Sequence, residues 1–529
     1  MSKRTTLLLA TLAIFFIGAL PLAVMLGRSL WVDQQVSLQR YAALFISSGH
    51  IWQLLGNSLS AAAFTAAVSG LIGLLAGTVL GKTDLPLRRF FTLILTLPLV
   101  IPPYVLAIAW AALLSKDGLF ARMLSPSVAG QLFSWLFGLP GCTWILFSAY
   151  MPIVMLLTMV SVSTINPRLE EAGRIVGGWR VVLRAITLPL ARPGIALAVV
   201  LVFLLSLGEI GVPMFLRYPV FPVETLIQFS AIYDFGMATA AATPLLLISV
   251  LVVLLEQRFL SANAGQLSPR IVSGRPLIIE LGAWSLPIFS AIGLLALVTA
   301  ALPFLALLAA SASWDTYLDA FQKAWGSMAR SLLYAGVGAT LLTSLGFLCG
   351  YLIGRRSLPV WRALDTVTLC LFATPGSVLG VGLISLWNHP GTNLIYGTAA
   401  IIFLGYLAQY LVLTSRISAV TLAAVPESLE DAARISGAGW FSTLWSVVLP
   451  AVRPGLVAGW LIAFVFCLRD LGITMLLYPP GADSLPVRIF TLMANGAPSL
   501  IAALCVYMIA LTFIPVVTFA FYFRRRLTI

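Results

Sequence analysis

From Thr5 to Phe523 the chain is a succession of apolar runs about 20 residues long, with only short polar gaps between them. No soluble core could hide so many. A run of that length is what crosses ~30 Å of hydrocarbon at 1.5 Å of helical rise per residue. Twelve spans are read at 5–27, 59–80, 90–115, 141–163, 194–216, 236–256, 284–311, 331–353, 363–387, 393–415, 456–478 and 500–523. Only 9% of residues are charged, against about 25% in soluble domains. The fold class is therefore an all-α polytopic membrane protein. The first span follows Lys3 and Arg4 as a signal peptide would, but its apolar stretch is too long for one and no A-x-A site stands out after it. It is read as a retained helix.

The net charge of +13 does not point to nucleic acid, because the basic residues sit in short gaps rather than on one face or in one block. They are instead sorted by side. The termini and the gaps near 82–89, 168–192, 258–275, 355–362 and 416–453 hold 22 of the 31 Lys and Arg; the opposite gaps hold eight, and Arg469 falls inside a span. The positive-inside rule makes that basic side, with both termini, cytoplasmic. The five cysteines lie in or beside apolar segments with no CxxC spacing, and are read as core residues.

The chain is also a duplication. "GLLAGTVLGKTDLPLRR" from Gly73 matches "GFLCGYLIGRRSLPVWR" from Gly346 at an offset of 273, which Pro102 and Pro375 share. This divides the chain into a six-helix half at 1–257 (core 57–256), a basic cytoplasmic linker at 258–283, and a second half at 284–529 (core 330–523). Both halves run in the same orientation, so the repeat is parallel. Within it, "AGTVLGKT" at 76–83 nearly satisfies a phosphate-loop pattern. Ala76 replaces the first glycine, no strand precedes it, and the matching "CGYLIGRR" lacks the lysine. Lys82, Arg355 and Arg356 are read as cytoplasmic anchors. Gly73, Gly77, Gly81 and Gly346, Gly350, Gly354 are read as tandem GxxxG ridges for close helix approach.

Two polar segments between the fourth and fifth spans of each half align at offsets of 260 and 261. In the first, Asn166-Pro167 suits an N-cap and first helical position, and Glu170 and Glu171 fall in the first turn. Ala172, Gly173 and Gly177 leave little bulk, so another protein's surface can approach. Pro426, Glu430, Asp431, Ala432, Ala433 and Gly437 repeat the pattern. An ordinary amphipathic loop would explain one copy; two aligned copies argue against it.

At these residues the chain resembles the membrane subunits of binding-protein-dependent type I ABC importers, whose signature is E-A-A-x-x-x-G followed by I-x-L-P. "EAGRIVG" (Glu171 to Gly177) with "ITLP" (Ile186 to Pro189) matches it, as does "DAARISG" (Asp431 to Gly437) with "VVLP". Gly173, Asp431 and Val447 depart from it without reversing charge or adding bulk. The resemblance implies that the short helices dock on two copies of a cytoplasmic ABC ATPase, which use ATP and Mg; that this chain binds no cofactor and is no enzyme itself; and that a periplasmic binding protein delivers substrate to a permease in the bacterial inner membrane. The fused form looks most like the ferric-iron permeases, then those for thiamine, sugar phosphates or aminophosphonates.

"SLGEIGVPMFL" and "CLRDLGITMLL" place Glu209, Arg469 and Asp470 in the fifth span of each half, the acids about 15 residues or roughly 22 Å from its start. Ionisable groups there face polar cavities, so these three are candidate pathway or gate residues. The two acids are read as interhelical hydrogen bonds or gate elements ahead of substrate contacts, since related anion permeases carry a similar acid, and Arg469 beside Asp470 favours pairing over an open cation site. His50 and His389 are lone residues without a metal role. The alternative class, an ion-gradient-driven secondary transporter with two six-helix halves, needs no docking helices. An intramembrane enzyme would need a nucleophile–base pair or metal cluster, and none is present.

Overall fold

The computed structural model describes residues 3–527 apart from 33–34, 47–48, 117, 121–124, 231–234, 262–276 and 312. Among the described residues, 10 helices are long and apolar enough to cross a membrane, and two bent pairs bring the number of spans to 12. The centre of the expected linker lies outside the described residues.

Three departures from the expected spans have local causes. The spans expected at 90–115 and 363–387 are broken: Arg88–Val100 meets Pro103–Leu114 at 101°, and Trp361–Ala373 meets Gly376–Trp387 at 109°. Proline removes an N–H and drives the preceding residue out of the α region. Ile101 and Thr374, each before a proline, accordingly sit at ψ 137° and 130°. The fifth and eleventh spans stop early, at Leu207 and Arg469 rather than 216 and 478. The next residues turn into short helices, Gly211–Phe215 and Thr474–Leu477. The second and eighth spans run longer, Gly49–Lys82 and Trp314–Gly354. Their polar leading turns ended the apolar runs, but polarity alone does not stop a helix.

Four π-helical turns, Phe15–Ala19, Val182–Thr187, Leu297–Ala301 and Leu444–Val448, each run into a Leu-Pro pair. The wider turn absorbs the proline's missing donor and its clash with the preceding carbonyls.

The glycine ridges pack as expected. A Cβ on Gly77 would stand 2.5 Å from the Met155 carbonyl and 2.7 Å from the Thr158 side chain, and one on Gly350 would stand 2.5 Å from the Ser415 carbonyl. Gly49–Lys82 therefore lies against Leu139–Ser163, and Trp314–Gly354 against Ala400–Ala423, at a separation only glycine permits. The leading span of each half crosses to the other half. The first packs on Gly376–Trp387, with Phe16 edge-on to Trp387 at 5.7 Å. The seventh packs on the broken third span, with Phe289 against Phe91 at 5.1 Å. Ahead of the seventh span, Ile279 donates to the Lys82 carbonyl at 2.7 Å, and its own carbonyl accepts from the Asp84 amide at 3.2 Å.

Candidate functional site

The polar segments form two short helices with matching anchors. In the first, Pro167–Val181, the Asn166 side chain caps the start by accepting from the Arg168 amide at 3.0 Å. The helix breaks at Gly178, whose φ of +67° suits glycine. In the second, Glu427–Ile435, the chain leaves through a Schellman turn. The Gly437 amide donates to the Arg434 carbonyl at 2.9 Å and the Ala438 amide to the Ala433 carbonyl at 3.0 Å, with Gly437 at φ +86°.

Glu170 and Glu430 are buried beneath these helices. Glu170 accepts from Lys82 at 2.7 Å and from the Thr187 hydroxyl at 2.9 Å. Glu430 accepts from Arg355 at 2.8 Å and from the Tyr351 hydroxyl at 2.7 Å. Each short helix is thereby tied to the end of the glycine-ridged span of its own half. Gly173 also faces inward, where a Cβ would stand 2.5 Å from Ile186. The Ile-Thr of "ITLP" thus packs and hydrogen-bonds the helix above it, through the π turn that precedes Pro189.

Of the residues read as a docking face, Glu171, Ala172, Asp431 and Ala432 are exposed and Ala433 is half-buried. Glu170, Glu430 and Gly173 serve the anchor, and Gly177 and Gly437 lie at the turns. Between these exposed charges the outward face also carries apolar side chains: Ile175 and Ile435, equivalent in the repeat, are each 87% exposed, and Val176 is 84% exposed. The second copy adds Phe441 and Trp445, both exposed. The sequence reading missed the anchor pairs. Their signal was present, since Lys82 and Arg355 share one repeat offset and Glu170 and Glu430 another.

A cavity of about 100 Å³ lies between the halves, bounded by the bends of the two broken spans and the ends of the fifth and eleventh. Glu209, Arg469 and Asp470 all line it. Glu209 accepts from the Tyr150 hydroxyl at 2.8 Å and the Gly211 amide at 3.1 Å. Asp470 accepts from the Tyr410 hydroxyl at 2.7 Å, and from the amide and hydroxyl of Thr474 at 2.8 and 2.6 Å. Each carboxylate therefore caps the short helix that follows it and holds a tyrosine from the preceding span of its own half. Arg469 does not pair with Asp470. It donates to the Leu99 carbonyl of the other half and lies over the Phe466 ring at 4.5 Å. The early end of its helix turns adjacent side chains apart, which their sequence adjacency concealed. His389 contacts Arg28 at 2.9 Å, and no group of three or more His, Cys, Asp or Glu suited to a metal occurs among the described residues.

Residues 345–528 match the family described as "Binding-protein-dependent transport system inner membrane component". The chain is 25% identical over 494 residues to the ferric transport system permease protein FbpB of Actinobacillus pleuropneumoniae, covering 87% of this chain and 69% of that one. It is 25% identical over 512 residues to a putative ferric transport system permease protein, FbpB 1, of Haemophilus influenzae, covering 92% and 79%. A putative 2-aminoethylphosphonate transport system permease protein of Salmonella typhimurium is 25% identical over 189 residues, 36% of this chain and 71% of that one.

Proposed function

We propose that this chain belongs to the family of binding-protein-dependent transport system inner membrane components, which its residues 345–528 match, and is the fused permease of an ATP-driven importer for ferric iron. Three relatives that align along most of the chain are named for ferric transport, whereas the aminophosphonate relative aligns along 36% of it. Likeness to ferric permeases along both halves of the chain supports iron as the substrate.

The observation that carries the energy-coupling part is the pair of anchored helices with exposed apolar faces. An isoleucine 87% exposed at the same place in two repeats, with Val176 beside it in the first and Phe441 and Trp445 exposed in the second, makes apolar patches of the kind a partner covers. In this reading the basic end of the bundle is cytoplasmic, and each helix docks on one of two ATPase copies. Closure of the ATPases moves the helices, and the buried Glu170–Lys82 and Glu430–Arg355 pairs carry that motion into the second and eighth spans. Docking then falls to Ile175, Val176, Ile435 and the exposed Glu171, Ala172, Asp431 and Ala432. Co-expression of the chain with its ATPase and measurement of complex mass tests this. Two ATPase copies per chain, with no ATP hydrolysis by the chain alone, is the expected result; a chain that retains no ATPase, or hydrolyses ATP unaided, contradicts it.

A further inference from the structure

Two residues that line the central cavity, Tyr104 and Gln409, carry polar atoms outside the contacts described above. The Tyr104 hydroxyl is buried, on a residue 1% exposed, and has no hydrogen-bond partner among the described residues. The Gln409 side-chain oxygen is likewise unpartnered. Leaving such groups unpaired in a buried site costs free energy, so unpartnered oxygens at one small cavity point to something that visits it. Both line the space that Glu209 and Asp470 line.

We infer that this cavity is a transient binding site for the imported cation, with Glu209, Asp470, Tyr104 and Gln409 as oxygen donors. The inference rests on the ferric-iron reading above. Three features carry it. The donors are all oxygen, the ligand type hard cations take. Two carboxylates and one guanidinium line the cavity, and that guanidinium is engaged by the Leu99 carbonyl and the Phe466 ring, which leaves neither acid paired to it. A space of about 100 Å³ has room for one ion with a few waters. The hydrogen bonds from Tyr150, Tyr410, Gly211 and Thr474 that occupy part of each carboxylate weaken it as a ligand. A path must release what it binds, and donors already engaged in capping suit a brief stop better than a resident site. Opening of the halves at the bends of the third and ninth spans would admit the ion, since those bends form the cavity wall.

The test uses the full chain assembled with its ATPase in detergent, with Tb³⁺ as a hard trivalent probe. Tyr104, Tyr150 and Tyr410 line the cavity and will sensitise its emission. Saturable emission competed by Ga³⁺ is expected. The half-saturation concentration should rise at least tenfold in the Glu209→Gln/Asp470→Asn double variant and at least threefold in Tyr104→Phe, which keeps the ring and both carboxylates and so guards against misfolding. A monodisperse double variant or a Tyr104→Phe variant that titrates like the parent overturns the proposal. Iron uptake by the same parent preparation in liposomes separates this from the reading it rests on. Parent complex that imports iron while the variants bind Tb³⁺ unchanged defeats the cavity site alone; parent complex that imports no iron defeats the substrate.

Discussion

Glu170 and Glu171 are neighbours with opposite fates: one is buried against Lys82 and Thr187, the other is exposed. Removing one partner of a buried pair strands the other's charge, at a cost of about 3–5 kcal/mol. Glu170→Ala should therefore lower the Tm of the detergent-purified chain sharply. Glu171→Ala should leave stability within ~0.5 kcal/mol, as surface changes do. The Lys82→Met/Glu170→Met double variant should recover much of the loss, because replacing both charges removes the desolvation cost along with the attraction. Thermal unfolding followed by intrinsic fluorescence decides it; equal Tm values for Glu170→Ala and Glu171→Ala would refute the anchor. At this scale the sequence was half legible. The repeat marked the right segments, but a carboxylate in a first helical turn has the same sequence signature whether it points to solvent or to a lysine 88 residues away.

Among the elements, the helix pairs built on glycine were the most legible, because GxxxG states a requirement for space that only a neighbouring helix creates. Gly77→Leu would drive a side chain into Met155 and Thr158, and should give little monodisperse protein by size-exclusion chromatography. Gly336→Leu, on the eighth span with nothing within 4 Å of its Cβ position, should behave as the parent; the opposite ranking would mean these glycines are not contacts. The short helices Pro167–Val181 and Glu427–Ile435 make a second prediction. Ile175→Asp and Ile435→Asp place a charge on exposed apolar tips, so the chain should insert and fold normally while ATPase co-purification falls at least tenfold, about 1.4 kcal/mol per site. Full retention of the ATPase by the double variant would contradict docking at these tips. The broken spans were not legible as breaks. In the sequence Pro102 and Pro375 stand out only as a repeat match, since an uninterrupted apolar run hides a bend of 101° or 109° as easily as a straight helix.

As a whole molecule the chain is two repeats that hold each other. The leading span of each half packs on the other half, and Ile279 pairs with the loop that follows Lys82. None of this follows from periodicity, which records that a helix is apolar and not which neighbour covers it. Because the crossed contacts bury apolar surface on both sides, residues 1–265 and 266–529 expressed as separate chains should co-purify through affinity purification from membranes; recovery of the tagged half alone would show that the covalent link is what holds them. In the proposed function, ATP used by a partner drives import through this chain. That coupling is tested most directly by iron uptake into liposomes carrying the chain with its ATPase, with binding protein outside and ATP inside. Uptake that requires ATP, the ATPase and the binding protein together, and is lost in the Ile175→Asp/Ile435→Asp variant, is the predicted result. Uptake driven by a proton gradient through the chain alone would contradict it.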